Sequence, residues 1–140
     1  MVTRLVGSLT LTAALFACAQ GTTGGPESPG NGKFVYTGDR NKDWAQIVAL
    51  EDQAKALVKT TGCATGAHCR TAPVGNRACG GPRYYLVYCS GTTDSAALFS
   101  KLKAVADAET EFNTRYQVVS TCEFRMPPRV ALVGASCQAQ

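Results

Sequence analysis

Charge is scarce in this sequence of 140 residues, histidine occurs once, and no two cysteines stand three positions apart. The fourteen basic and ten acidic residues leave a net +4 that is spread along the chain without a long basic run. That removes the electrostatic footprint that nucleic acid binding requires. The missing Cys-x-x-Cys spacing excludes zinc knuckles and thioredoxin-like dithiols, and with His68 as the lone imidazole neither a metal site nor a cofactor is expected. The same shortage disarms Ser120 and Ser136, which have no other histidine to serve as a base. Gly80-Gly81 lacks the lysine and helix start of a phosphate loop and reads as a turn beside Pro82.

What is present begins with compartment. Arg4 precedes the apolar run Leu5–Ala17, "LVGSLTLTAALFA", which is too short to span a bilayer and has the length and flanks of a secretory signal. Its end, Leu15-Phe16-Ala17-Cys18, resembles the lipobox of bacterial lipoproteins. The resemblance implies a signal peptide over residues 1–17, lipidation of Cys18 and attachment to a membrane through acyl chains. Ala19, in place of aspartate, implies sorting to the outer membrane if the envelope is Gram-negative. Residues 18–39 are rich in Gly, Pro, Ser and Thr and read as a tether, interrupted by Phe34-Val35-Tyr36, a candidate edge strand.

Residues 40–140 are the length of one small domain. Asn41 is placed to cap a first helix, with Trp44, Ile47, Val48, Leu50, Ala54, Leu57 and Val58 at helical spacing and Gly62 ending it. A longer helix starts near Thr93 or Asp94 and carries Leu98, Leu102, Val105, Phe112 and Tyr116 on one face. Strand-like runs occupy 70–74, 83–89, 116–124 and 129–133. The order α-β-β-α-β-β predicts an α+β fold, two helices packed on a small antiparallel sheet and stabilised by disulfides. A monomer is expected.

Seven cysteines less Cys18 leave six, an even number that in a small exported domain predicts three disulfides. Pairing 70–74 with 83–89 so that Val74 faces Tyr84 sets Cys69 opposite Cys89, close enough for a bridge. Cys79 would then reach back to Cys63, and Cys122 would join Cys137. The competing scheme joins nearest neighbours: Cys63–Cys69, Cys79–Cys89 and Cys122–Cys137. In either scheme no thiol remains for catalysis.

The segments "ACGGPRYYLVYCS", "AETEFNTRYQVVSTC" and "MPPRVALVGASC" together resemble a group of small exported bacterial lipoproteins with a Cys-Gly-Gly-Pro corner, an Asn-rich helix end and a Ser-x-Cys followed by a proline pair. The likeness runs from about Cys63 to Cys137. It implies export and a single fold unit, and it carries no activity with it. Cys69 and Cys89 are atypical of that group and so resemble an added pair, in agreement with a bond between them.

Glu109 falls on the inward face of the second helix and must find a partner, with Arg83, Arg125 or the amide of Asn113 in reach of the topology. The simpler reading is a structural clamp. Arg70, Arg77, Arg83, Arg125 and Arg129 lie in or beside the hairpins, where a basic rim would suit an envelope protein, an acidic glycan or anionic headgroups. Tyr84, Tyr85 and Tyr88 predict at least one outward tyrosine as an anchor. Candidate binding residues are thus Arg77, Arg83, Tyr84, Glu109, Asn113, Arg125 and Arg129. They support a non-catalytic envelope lipoprotein that presents the loop "VGNRACGGPR" over residues 74–83, with Arg77 offered to a trypsin-like protease as one concrete version. The alternative is a hydrolytic envelope enzyme using Glu109 with a nearby Arg or Asn.

Overall fold

The computed structural model describes residues 33–140, so the expected signal peptide, Cys18 and most of the expected tether lie outside the described residues. The fold is α+β in the expected order: α1 (Arg40–Lys55), β1 (Cys69–Val74), β2 (Tyr84–Cys89), α2 (Ser95–Arg115), β3 (Val130–Val133) and β4 (Ser136–Ala139). The N-cap of α1 is Asp39 and not Asn41: its carboxylate accepts from the amides of Asn41 at 3.0 Å and Lys42 at 3.2 Å, two donors that the first turn leaves free. Asp94 caps α2 in the same manner through the amide of Ala97. Ile47, Leu50 and Ala54 of α1 face Leu98, Leu102, Val105 and Phe112 of α2 across a buried core.

The sheet of the sequence reading is two separate hairpins. In the first, β1 and β2 pair antiparallel from Cys69 opposite Cys89 to Val74 opposite Tyr84, the register the sequence predicts. Side chains alternate across a strand. Ala72, Val74, Tyr84, Leu86 and Tyr88 therefore enter the helical core, while Cys69, Val87 and Cys89 turn to the other face, where Val130 and Leu132 of β3 cover them. β2 has neighbours on both faces, which is why it reads Tyr-Tyr-Leu-Val-Tyr-Cys without alternation, whereas β1 leaves Arg70 and Pro73 exposed.

The second hairpin departs from the expected one. Instead of 116–124 pairing with 129–133, β3 pairs with β4 around Gly134, whose φ of 61° suits the tight turn. Gln117, at φ 47°, turns the chain after α2, and the amide of Val118 returns to the carbonyl of Asn113. Beyond it, the hydroxyl of Ser120 accepts from the amide of Cys79, so this stretch is tied to the loop of residues 75–83 and not to a ladder. Val119 and Phe124 have strand propensity but are left exposed.

All three expected disulfides, Cys63–Cys79, Cys69–Cys89 and Cys122–Cys137, are corrected by the structure, as is the nearest-neighbour scheme. The bonds are Cys63–Cys89, Cys69–Cys137 and Cys79–Cys122, with Cα separations of 5.7, 5.4 and 5.2 Å. Cys69 and Cys89 do face each other, but both point into the layer between the hairpins. The segment after α1 runs along that layer's edge: the carbonyl of Lys59 accepts from the amide of Cys89, that of Thr60 from Cys137, and the amide of Gly62 donates to Ala135. Cys63 is thereby delivered to Cys89, and Cys137 to Cys69. Cys79 cannot reach Cys63, because the two sit at opposite ends of a six-residue hairpin, about 17 Å apart at the usual rise per residue. It bonds instead to Cys122 in the irregular stretch beside the loop tip. Each bond links segments that no hairpin turn holds together, and the longer loops so closed restrict the unfolded chain more.

Phe34 enters the core, yet its segment is no edge strand. Gln46 grips the backbone of Val35, accepting from its amide at 3.0 Å and donating to its carbonyl at 2.8 Å. Asp43, fully buried, accepts from the amide and hydroxyl of Thr37 and from the phenol of Tyr116 at 2.8 Å. Burial pushes its carboxyl up, but the hydrogen bonds from Thr37 and Tyr116 outweigh it and hold the group below the usual carboxylate range.

Two outcomes follow from these contacts. Peptide mapping of the unreduced protein should recover the links 63–89, 69–137 and 79–122, and a 69–89 peptide would refute the layered arrangement. Asp43→Ala removes the shared acceptor of the Thr37 amide and hydroxyl and the Tyr116 phenol and should cost about 1–3 kcal/mol in denaturant unfolding; a loss under about 0.5 kcal/mol would show that the 33–37 segment is not held this way.

Candidate functional site

Loop 75–83, α1 and α2 converge on Arg83, which follows Pro82 at the end of the loop and whose amide closes onto the carbonyl of Val74 at 2.9 Å. Its guanidinium lies between two buried carboxylates: one nitrogen pairs with Glu51 of α1 and another with Glu109 of α2. The rings of Trp44 and Tyr84 flank it, with centroids 5.6 and 5.5 Å away, a stacking that suits the planar, weakly hydrated guanidinium. Glu51 is further held by Lys55 at 2.6 Å and by the phenol of Tyr84. Burial opposes its ionisation, yet the bonds from Lys55, Tyr84 and Arg83 prevail and lower its carboxyl to about 2. For Glu109 the balance is reversed. Burial pushes its carboxyl up, more than the Asn76 amide and Arg83 draw it down.

The helix grips the loop through one residue. Glu109 accepts from the amide of Asn76, Asn113 donates from Nδ2 to the carbonyl of Asn76 at 2.7 Å, and the hydroxyl of Thr110 accepts from the Asn76 side chain at 2.8 Å. Positions 109, 110 and 113 share a helix face, so a single turn of α2 can satisfy one loop residue completely. Gly75 is required for this approach: its φ is 74°, and a Cβ there would meet the Glu109 carboxylate.

Beside this clamp lies a cavity of ≈ 450 Å³, in the range of small-molecule sites. Trp44, Phe112 and Val118 give it apolar walls, and Arg40, Arg77 and Arg83 supply positive charge. Arg77 is half-buried, with Nη2 donating to the carbonyl of Glu123, while its buried Nε has no acceptor among the described residues.

Of the residues singled out from sequence, the structure brings Arg77, Arg83, Glu109 and Asn113 to this cavity. Tyr84 supports Glu51 from outside it. Arg125 and Arg129 are exposed and do not line it: Arg125 pairs with Glu123 at 3.4 Å, and the Arg129 carbonyl accepts from Gln140. The expected single basic rim is not formed, since Arg83 is neutralised by two glutamates and Arg70 lies at the far end of β1. None of the three tyrosines is exposed. Sequence reasoning missed Glu51, Trp44 as a wall, and Asn76. Glu51 was detectable, because it follows Ile47 by four positions on the face that packs inward; Asn76 carries no comparable signal.

The Sγ atoms of Cys63, Cys69 and Cys137 lie within 4.8 Å of one another, a spacing that thiolates would offer a metal. Each belongs to a disulfide, whose sulfur is not a thiolate ligand.

The depressed carboxyl of Glu51 stabilises the fold above its unfolded value of 4.5, and that contribution is lost as pH falls toward about 2. Asp43 acts in the same direction, whereas the shift of Glu109 has the opposite sign and adds nothing to acid loss. The unfolding midpoint should therefore fall between pH 5 and pH 2.5, and Glu51→Gln should shrink the fall while lowering stability at pH 7. An unchanged pH slope in the variant would mean that Glu51 is not the titrating group. 

No protein-family model, curated protein or solved structure matches the chain, so its functional assignment rests on this geometry.

Proposed function

We propose that the chain is a non-catalytic binding module of the cell envelope, exported and tethered to a membrane by lipid on Cys18, with the cavity beside loop 75–83 as its ligand site. The coarse location is independent of the tether: three disulfides mark an oxidising, extracytoplasmic compartment. No helix among the described residues is long and apolar enough to cross a membrane. Lipidation rests on the resemblance of Leu15–Cys18 to a lipobox, and residues 19–32 would then give the folded part reach from the lipid surface.

Binding is favoured over hydrolysis by one observation, the state of Glu109. Its side chain is 1% exposed, Arg83 occupies one oxygen and the Asn76 amide the other. A general acid or base must exchange a proton with substrate at hydrogen-bond distance. Here both oxygens are committed to holding the loop on the helix. A rise in carboxyl pKa is common in structural pairs as well as in catalysis, and without an open oxygen it does not make an acid. The protease-inhibitor version is disfavoured because Arg77 folds back onto Glu123 instead of extending to a partner's pocket.

A screen of small fragments monitored by amide chemical shifts should perturb Trp44, Asn76 and Asn113 together in the wild-type protein. Hydrolysis of envelope polymers that disappears in Glu109→Gln would overturn the binding reading. Mass analysis of the membrane fraction should find an acylated N-terminal peptide starting at Cys18, and Cys18→Ser should release the protein; a mature chain starting elsewhere would remove the tether.

A further inference from the structure

We infer that the cavity takes a small amphipathic carboxylate, a carboxyl group carried on an aromatic or branched apolar body. This deepens the binding reading and depends on it. The apolar part follows from the walls: Trp44 and Phe112, tilted against each other at 5.2 Å, and Val118 offer surface that a hydroxyl-rich ligand would waste. The anionic part follows from the arginines. Arg83 is matched twice over by Glu51 and Glu109, so it is not available as a counter-ion. Arg40 and Arg77 also line the cavity, and neither has a carboxylate partner among the described residues.

Arg77 supplies the specific feature. Its Nε–H is buried without an acceptor among the described residues, an arrangement unfavourable in the free protein that a ligand oxygen would relieve. Nη2 spends one hydrogen on the Glu123 carbonyl and retains a second. A small rotation of the guanidinium toward the cavity would turn Nε and Nη2 together onto the two oxygens of a carboxylate, the side-on fork in which arginine binds that group best. Arg40 lies 5.8 Å from the Phe112 centroid and adds a second positive charge above the same apolar wall. A neutral carbonyl could pair with one donor of the fork only and would leave both charges uncompensated.

Trp44 is the single tryptophan of the chain and stands in the wall, so its emission reads the site directly. The probes are 3-phenylpropionate and its uncharged amide, 3-phenylpropanamide. The acid should saturate the Trp44 signal and bind about ten- to a hundredfold more tightly than the amide, the range of a charged hydrogen-bond pair. Arg77→Gln should lose most of that preference, leaving what the charge of Arg40 supplies, and Arg77→Lys, which keeps the charge without the fork, should retain more of it than Arg77→Gln does. Intact disulfides and an unchanged circular dichroism spectrum check that both variants fold. A free acid and a peptide end present the same chemistry, so acetyl-Gly-Gly-Phe is titrated alongside, and the tighter of the two identifies the source. Equal affinity for acid and amide would overturn the inference while the binding reading stands. Failure of both probes, together with a fragment screen that never perturbs Trp44, would remove the two at once.

Discussion

Arg83 between Glu51 and Glu109 is the contact on which the arrangement of the molecule turns. It is the one place where α1, α2 and the end of loop 75–83 meet through charge, and all three partners are at least partly withdrawn from water. Removing two carboxylates and a guanidinium from water is costly, and their mutual attraction offsets that cost only with close geometry and extra hydrogen bonds. Those bonds come from Lys55 and Tyr84 on one side and from the Asn76 amide on the other. Loss of Arg83 would leave two buried carboxylates without their shared counter-ion. The triad therefore does less to raise stability than to fix where the loop sits on the helices, and with it the mouth of the cavity.

Covalent links perform the corresponding task on the opposite face. The first hairpin divides the molecule into a helical layer joined by apolar packing and ions, and a sulfur-rich layer joined by Cys63–Cys89 and Cys69–Cys137. The apolar contribution of β3 and β4 is small, with Val130 and Leu132 only partly buried, so that layer could not hold by the hydrophobic effect alone. Cross-links substitute for the missing core. Cys79–Cys122 is separate from this layer and ties the loop tip to the stretch after α2.

How much of this the sequence disclosed depended on whether the relevant period was local. Both helices were legible from apolar spacing, although α1 ends at Lys55 and not at Gly62, with Leu57 and Val58 beyond it, and the register of the first hairpin followed from Val74 and Tyr84 flanking the turn residues. Glu109 stood out because a carboxylate on an apolar face is costly enough to be conspicuous. The disulfide pairing was not legible, because the bonds join segments distant in sequence whose spatial order no periodicity encodes. One error was avoidable: with Cys69 opposite Cys89, the loop that carries Cys79 must lie a full strand length from Cys63. The expected strand over 116–124 failed for a different reason. Val118, Val119 and Phe124 have the propensity, but propensity measures fit to a partner surface, and the Cys122 bond with the Ser120 contact had already committed that backbone to the loop.

The restraints on loop 75–83 bear on what it can do. It is fixed at its start by Gly75 and Asn76 on α2, at its tip by Cys79 on Cys122, and at its end by Arg83 in the ion triad. Between these anchors the chain has little freedom left to lose, and a ligand entering beside it avoids most of the ordering cost that a mobile loop would impose. The buried side-chain atom without a hydrogen-bond partner among the described residues, Arg77 Nε, lies within this frame. A rigid frame with an unsatisfied buried donor beside a cavity of apolar walls is suited to selecting a ligand by charge and shape, and poorly suited to the proton transfers and motions of a hydrolase.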